Sequence, residues 1–192
     1  MTNLPPPEQL DELIDHIQAR LAAAVSDYSA PWRTPMLATI GGSVTPTLRT
    51  VVIRAVDRAA GWVRIYTDRR SDKVAQLIDR PAVELGFWDP SVNQQLRVAG
   101  RAQLLTDAEA VDSAWAALRP EARLIYQSAA APGTPIDPTA PAPPDADRRD
   151  VFSVINIRWE RWDWLWLGPD GHRRARIHWS RDGERQAVWV VP

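Results

Sequence analysis

Residues 48–67 read LRTVVIRAVDRAAGWVRIYT, and this stretch decides the fold prediction. Leu48 to Val56 is rich in β-branched residues, and Trp62 to Thr67 alternates large apolar residues with others, which is typical of strands. Asp57 to Gly61 has the composition of a hairpin loop. The stretch therefore predicts two neighbouring antiparallel strands.

Further strand patterns lie on both sides of this hairpin. Met36 to Ile40 precedes it, and Val83 to Trp88 and Gln95 to Leu105 follow it. Asp170-Gly171 is a dipeptide typical of tight hairpins. The C-terminal strands are predicted at residues 151–158, 162–167, 173–179 and 186–191. About eight meandering strands predict a mainly β fold with helices, an antiparallel, Greek-key-like β-barrel in which closure would remove exposed edges.

Helical patterns occur at the N-terminus, after the hairpin and in the middle of the chain. Within residues 1–28, apolar residues recur at three- and four-residue spacing. A short helix is predicted after Ser71, its N-cap. Residues 107–118 and 120–128 form the central helical region. The predicted buried face of the short helix consists of Val74, Leu77 and Ile78.

A proline-rich segment, residues 129–148, predicts a long surface loop. The chain after this loop is too short to build a second core alone. We therefore predict one domain over residues 1–192, and we expect the C-terminal strands within residues 151–192 to complete that domain.

The composition excludes several classes of protein. The 192 residues carry a formal net charge of −1 and no cysteine, which excludes a disulfide scaffold, a thiolate metal site and a cysteine nucleophile. Near-neutral charge argues against nucleic-acid binding. No secretory signal or membrane-spanning run is visible, so a cytoplasmic protein without a membrane partner is expected. The three histidines lack carboxylates at ligand spacing, and no metal is expected.

Basic and hydroxyl residues cluster at predicted strand ends. Arg49 and Arg54 lie five positions apart, so on one strand they would face opposite sides unless a bulge intervened. Ser71 and Lys73 open a helix, where free N–H groups, a hydroxyl and an ammonium suit a phosphate. Lys73 is the only lysine in the chain. A capped helix with a nearby lysine is the alternative interpretation, and the residues alone leave both open.

Six motifs, taken in order, resemble a known family. They are Arg49 to Arg54, Tyr66-Thr67-Asp68, Ser71-Asp72-Lys73, Arg80-Pro81, Gln94 to Gly100, and Trp166 with Arg176 ten residues later. In this order and spacing they resemble the pyridoxamine 5′-phosphate oxidase-like FMN-binding proteins. The resemblance covers about residues 30–192.

The resemblance implies a split barrel and a homodimer that holds FMN at the subunit interface. Strand residues would line the ribityl phosphate and the flavin edge, hydroxyls and the lysine would hold the phosphate, and residues from the second half of the chain would contact the flavin ring. The implied cofactor-binding residues are Arg49, Thr50, Val51, Val52, Arg54, Tyr66, Thr67, Ser71, Lys73, Gln95, Gln127, Ser128, Trp166 and Arg176. Gln95 would come from the partner subunit.

The chain departs from the family pattern at the substrate positions. Asp72 stands where the oxidases usually have arginine. Of the residues that grip the oxidase substrate only Arg119 is retained, and the final R-x-H pair is reversed to His172-x-Arg174. We therefore expect an FMN-dependent oxidoreductase that moves a hydride from an unidentified small substrate to flavin N5, with no catalytic residue assigned. The alternatives are a non-catalytic FMN-binding or ligand-sensing protein, and the same fold with a deazaflavin or haem.

Overall fold

The computed structural model describes residues 5–137, 139, 148–180 and 182–192. The described part contains nine strands and four α-helices. The strands are β1 (Met36–Ile40), β2 (Pro46–Thr50), β3 (Ile53–Asp57), β4 (Trp62–Asp68), β5 (Ala82–Asp89), β6 (Gln94–Leu104), β7 (Phe152–Gly168), β8 (Gly171–Trp179) and β9 (Arg185–Val190). The helices are α1 (Leu10–Ser26), α2 (Asp72–Asp79), α3 (Ala108–Ala116) and α4 (Pro120–Arg123), with 3₁₀ turns at Pro31–Arg33, Leu124–Tyr126 and Arg149–Val151.

All strand pairs in the sheet are antiparallel. The main order is β2-β1-β5-β6-β7-β4-β3, and β8 and β9 extend it from β7. The long strand β7 changes partners along its length: its first half pairs with β4, its second half with β8, and β6 spans most of both. The prediction of a mainly antiparallel β fold with N-terminal and central helices is confirmed.

The sheet curls like a barrel but is not closed by hydrogen bonds. β2 and β3 lie at opposite ends of the order, yet only Val51 and Val52 separate them in sequence. Three Cα–Cα steps of 3.8 Å limit their ends to about 11 Å apart, so the two edges must approach each other. No β2–β3 ladder forms among the described residues, so the predicted barrel is present in its split form and hydrogen bonds do not close the sheet.

The prediction of one strand over residues 48–56 is wrong, because the chain changes strand partners at Val51 and Val52. The N–H of Val51 donates to the carbonyl of Pro35, 3.0 Å away, and this is the last hydrogen bond on the β1 side. The chain then crosses to β4, where the register shifts between Ile53 and Ala55. Two strands on different edges therefore replace the single predicted strand.

The interior holds a large aromatic and aliphatic cluster. Trp162 and Trp164, on one face of β7, are fully buried together with Trp32 and the apolar stripe of α1. A smaller cluster lies under α3, around Trp115, Tyr126 and Phe152. Burial of these side chains is the main stabilising term, at roughly 1.5–3 kcal/mol for each large apolar side chain.

The course of β7 and the buried face of α2 also differ from the sequence predictions. The strands predicted at 151–158 and 162–167 are one strand with a bulge opposite Ala99 and Gly100, where a Cβ on Gly100 would lie 2.0 Å from the carbonyl oxygen of Arg158. Ile78 is exposed, because the buried face of α2 is limited to Val74 and Leu77.

Residues 120–128 contain one short helix and a 3₁₀ turn. Of the predicted loop, residues 129–137 and 139 contain no helix or strand, and residues 138 and 140–147 lie outside the described residues. No helix in the described ranges is long and apolar enough to span a bilayer.

Candidate functional site

The turn from β4 into α2 brings three polar side chains together. The Nζ of Lys73 donates to Oγ1 of Thr67 at 2.9 Å and to Oγ of Ser71 at 3.1 Å. The hydroxyl of Ser71 donates to the carbonyl of Asp68 at 2.7 Å, so Ser71 occupies the N-cap position without a side-chain cap bond. Its hydroxyl therefore serves the turn and the lysine rather than the helix end.

Arg49 joins this group from the other edge of the sheet. Its guanidinium donates to Oγ1 of Thr47 at 2.9 Å and to Oε1 of Gln76, on α2, at 3.1 Å. It also contacts the hydroxyl of Thr39 at 2.5 Å. These acceptors are neutral, so they fix the position of the guanidinium without cancelling its charge.

These residues surround a cavity of about 280 Å³, which we call the phosphate cavity. Arg49 and Arg54 both line it because the chain changes edges at Val51 and Val52, so the alternation expected for one strand does not apply. Of the residues implied by the resemblance, the cavity is lined by Arg49, Thr50, Val51, Val52, Arg54, Tyr66, Thr67 and Lys73. Ser71 is buried beside it and bonded to Lys73.

The phosphate cavity carries positive charge that nearby carboxylates, Asp68 and Asp72, offset only in part, and none of its cations forms an ion pair within the described residues. Burial and the neighbouring Arg49 guanidinium lower the pKa of Lys73, and burial lowers the pKa of Arg49. Asp68 also lines the cavity, but its carboxylate accepts from Arg70 at 2.6 and 3.0 Å. Burial would raise the pKa of Asp68, and the hydrogen bonds from Arg70 outweigh it and lower that pKa. Asp72 is exposed and does not line the cavity.

A second cavity of about 600 Å³ adjoins the phosphate cavity, and we call it the adjoining cavity. Arg54 and Tyr66 line both cavities. Arg119 lines the adjoining cavity, and its guanidinium lies 5.0 Å from the ring centre of Tyr28. The adjoining cavity lies beside the phosphate cavity and could therefore accommodate a second ligand next to a bound phosphate.

Tyr126 is a lining residue of the phosphate cavity that the sequence analysis did not single out. Burial raises the pKa of Tyr126 to about 12 and also raises that of Tyr66, so both hydroxyls remain protonated at neutral pH. Tyr126 directly precedes Gln127 and Ser128. The guanidinium of Arg70 donates to the carbonyls of Ser128, at 3.0 Å, and Ala129, which places the 127–128 segment beside the phosphate cavity.

The remaining implied residues lie at the other end of β7. Gln95 is opposite Leu165 and Arg176 is opposite Asp163, whereas Thr67 is opposite Ser153. Ten to twelve residues of strand, roughly 33–40 Å at the rise of a β-strand, therefore separate the two groups along β7. One protomer does not bring Gln95 and Arg176 to its own phosphate cavity.

Asp163 organises two arginines of this second group. Its carboxylate accepts from Nε and Nη2 of Arg174, both at 2.8 Å, and from Nε of Arg176 at 3.2 Å. Burial would raise the pKa of Asp163, but the bonds from Arg174 and Arg176 outweigh it and lower that pKa. Arg174 is therefore held by an ion pair, and the terminal nitrogens of Arg176 remain available to a ligand. His172 is exposed on the same hairpin.

Trp166 lies on the opposite face of the sheet from Arg176. The register pairs Trp166 with Arg173 and Arg176 with Asp163, and successive side chains of a strand alternate between faces. Trp166 is 7% exposed and packs with the interior tryptophans. Within the described residues no group of three His, Cys, Asp or Glu side chains is placed to hold a metal ion.

The fold and the cationic cavity define a class of protein, a split barrel with a site suited to a phosphate. Residues 15–106 match the family model described as "Pyridoxamine 5'-phosphate oxidase, FMN-binding domain". This match spans just under half of the chain, and it confirms the resemblance to the pyridoxamine 5′-phosphate oxidase-like FMN-binding proteins that the six motifs predict.

Two solved structures share the architecture over nearly the whole chain. A pyridoxamine 5′-phosphate oxidase-related, FMN binding protein from Nostoc punctiforme is 25% identical, with a TM-score of 0.75, and the match covers 98% of this chain and 99% of that chain. PhzG from Burkholderia lata, solved in complex with tetrahydrophenazine-1-carboxylic acid, is 19% identical with a TM-score of 0.73, over 97% and 94% of the two chains. At that identity the second likeness shows the fold alone.

Curated relatives match over a shorter range. Pyridoxine/pyridoxamine 5′-phosphate oxidase 2 of Arabidopsis thaliana is 33% identical over 106 residues, which is 52% of this chain and 53% of that protein. The oxidase of Myxococcus xanthus strain DK1622 is 31% identical over 105 residues, or 55% and 48%. The chain thus spans about half the length of the curated relatives it matches.

Proposed function

We propose that this protein binds FMN and acts as an FMN-dependent oxidoreductase on a small anionic substrate. The observation that carries the proposal is the phosphate cavity, where Arg49, Arg54 and Lys73 converge. The excess positive charge and the hydroxyls of Thr67 and Ser71 suit a phosphate ester, which accepts several charge-assisted hydrogen bonds.

The lowered pKa of Lys73 also supports a bound anion in the phosphate cavity. Burial and the Arg49 guanidinium disfavour the ammonium in the free protein. A phosphate bound between Lys73 and Arg49 would relieve this repulsion and would favour the charged lysine. A cavity built of neutral hydrogen-bonding groups would gain nothing comparable from an anion.

We further infer that two copies of the chain complete each flavin site. Gln95 and Arg176 lie far along β7 from the phosphate cavity of their own protomer, and both are on the outer face of the sheet. A two-fold dimer would bring this face of one copy to the phosphate cavity of the other. Trp166 is left out of the proposed flavin contacts because its ring faces the interior.

FMN, when bound, supplies the acceptor that takes a hydride from the substrate. Arg49, Lys73 and Thr67 would fix the phosphate and so position the ring. The adjoining cavity would hold the substrate, with Arg54 and Arg119 as cations that select an anionic group. The apolar and aromatic lining would exclude water beside the reacting atoms, and Arg176 from the second copy would place positive charge near the ring.

The experiment is spectroscopic. The purified protein should bind added FMN with one flavin per chain and show flavin absorption bands, and candidate donors should bleach those bands anaerobically. Binding without bleaching by any donor would favour the non-catalytic FMN-binding or ligand-sensing alternative. A protein that refuses FMN but takes up haemin or a deazaflavin would contradict the proposal.

A further inference from the structure

A third cavity, of about 920 Å³, lies at the rim of the barrel away from the phosphate cavity. It is bounded by the β3–β4 turn, the bulged part of β7 and the β8–β9 connection, and we call it the rim cavity. None of its lining residues lines the phosphate cavity or the adjoining cavity. Its volume is within the range of sites for small organic ligands.

Two arginines that line the rim cavity are cross-strand neighbours, and neither is paired with a carboxylate among the described residues. Arg101 on β6 is directly opposite Arg158 on β7, and like charges in this position destabilise a sheet. Neither forms an ion pair or a side-chain hydrogen bond with any residue that the structure describes. Arg58 also lines the cavity, and its nearest carboxylate is Asp15, at 4.0 Å with both groups exposed. Among the described residues, Glu160 is the one carboxylate that lines the cavity.

Comparison with the other strand arginines shows that arginines without a carboxylate partner are confined to particular places in the sheet. In the described strands, most arginines pair with a carboxylate, as Arg97 does with Glu84 and Arg174 with Asp163. Arg64 has no such partner but bonds to Asn156 and stacks on Trp62. The remaining strand arginines without a carboxylate are those of the phosphate cavity and the Arg101–Arg158 pair. Unpaired guanidinium groups in the sheet therefore occur at two cavities.

The floor of the rim cavity is aromatic and fixed. Trp159 is buried and Trp179 is half-buried, with ring centres 6.1 Å apart. Gly61, in the β3–β4 turn, lies so close that a Cβ there would be 3.2 Å from Nε1 of Trp159. This packing holds the Trp159 ring in place with only 4% of the residue exposed, so the apolar surface beside the two unpaired cations is the edge of Trp159 and the half-buried ring of Trp179.

We propose that the rim cavity binds a small aromatic anion, an aryl carboxylate or aryl phosphate. Its charged group lies between Arg101 and Arg158, which donate hydrogen bonds to it, and its ring lies against Trp159 and Trp179. His178 lines the same cavity and supplies a further polar contact. This ligand relieves the repulsion between the two arginines, and the site goes beyond the proposed flavin chemistry because it uses none of those residues.

The test is a calorimetric titration with 2-naphthyl phosphate. The full chain is used with Arg49→Ala/Lys73→Ala, so that binding of the phosphate in the phosphate cavity is strongly weakened. We expect one saturable site per chain, and the further double substitution Arg101→Ala/Arg158→Ala should weaken it about tenfold or more through loss of two charge-assisted bonds. Glu160→Gln, which removes the one lining carboxylate, should tighten it.

The matched control is Arg80→Ala/Arg185→Ala, which removes the same charge from two partly exposed side chains outside the cavity and should change the affinity less than twofold. Inorganic phosphate should bind more weakly than the aryl phosphate. Absence of saturable binding, equal binding by the Arg101/Arg158 variant, or equal affinity for inorganic phosphate would overturn the proposal. A change of sedimentation mass in that variant would overturn it too, because the rim cavity would then be an interface between copies.

Discussion

The Nζ of Lys73, in the first turn of α2, lies 2.9 Å from Oγ1 of Thr67 at the end of β4. This contact links the strand to the helix through an ammonium that pairs with hydroxyls rather than with a carboxylate. Among the described residues, no carboxylate lies within ion-pair distance of Lys73. A half-buried cation held in this way is poised for an anion from outside the chain, and the predictions below follow from it.

Replacing Lys73 with methionine should weaken FMN binding while leaving the fold intact. The side chain keeps most of its length but loses its charge, and a charge-assisted hydrogen bond contributes about 1.5–3 kcal/mol, or roughly 10- to 100-fold in Kd. Quenching of flavin fluorescence during titration measures the change. Lys73→Arg, which keeps the charge, is the control and should lose less; equal Kd values for wild type and Lys73→Met would exclude Lys73 as a phosphate ligand.

FMN affinity should fall at alkaline pH because of Lys73. In the free protein its pKa is below the usual 10.5, and bound phosphate favours the charged form. FMN affinity should therefore be constant at pH values where the lysine is protonated in the free protein. It should decline as pH rises above the lowered pKa of free Lys73 and approaches the usual lysine value of 10.5. Lys73→Arg should lack this decline, since guanidinium stays charged. Ionisation of the flavin affects both proteins equally, so the difference between the two pH profiles gives the contribution of the lysine alone.

The Asp163 carboxylate should stabilise the fold at neutral pH and lose that effect in acid. Its pKa in the folded state is below the usual 3.8, so its contribution is present above that value and is lost as pH falls through the lowered pKa. Asp163→Asn should cost about 1–3 kcal/mol in urea unfolding at pH 7, with a shrinking difference from wild type below pH 4.

A suitable comparison for Asp163 is the exposed carboxylate of Asp150, which pairs with Arg148. Solvent screens that pair, so Asp150→Asn should have a much smaller effect on unfolding. If the two variants lost equal stability, the buried Asp163–Arg174 pair would not have the importance that its geometry indicates.

Mixing two defective variants should restore flavin binding if each site is shared between copies. Lys73→Ala removes a phosphate-cavity ligand and Arg176→Ala removes a residue of the distant group. In a refolded equal mixture, heterodimers form statistically and carry one intact site each, so about a quarter of all sites should bind FMN with wild-type affinity. A mixture of Lys73→Ala with Thr67→Ala, both from one group, should restore none. Failure of the first mixture would mean that sites are not shared.

Much of the fold was predictable because its signals are local. The strand Trp62–Asp68 and the stripe of α1 follow from periodicity and β-branched residues. The break at Val51 and Val52 was not, because both residues favour strands and nothing in the local sequence marks the point where the chain leaves β1 and pairs with β4. The bulge in β7 was mistaken for a gap between two strands for a similar reason.

The candidate site was predictable only in part. Lys73, Thr67 and Ser71 are close in sequence, so the turn that joins them could be inferred from their spacing. Arg49 comes from a different edge of the sheet, and only the motif resemblance connected it to Lys73. Tyr126 and the rim pair of Arg101 and Arg158 had no sequence signal, since their proximity is created by strand register and by the packing of the central segment.

The most direct test of the phosphate cavity compares FMN with riboflavin, which lacks only the phosphate. Calorimetric titration of wild-type protein should show FMN binding at least about 100-fold more tightly, since several charge-assisted bonds depend on that group. In Arg49→Ala/Lys73→Ala the preference should largely disappear, with riboflavin affinity unchanged. Equal affinity of the wild-type protein for the two flavins, or an undiminished preference in the double variant, would contradict the account.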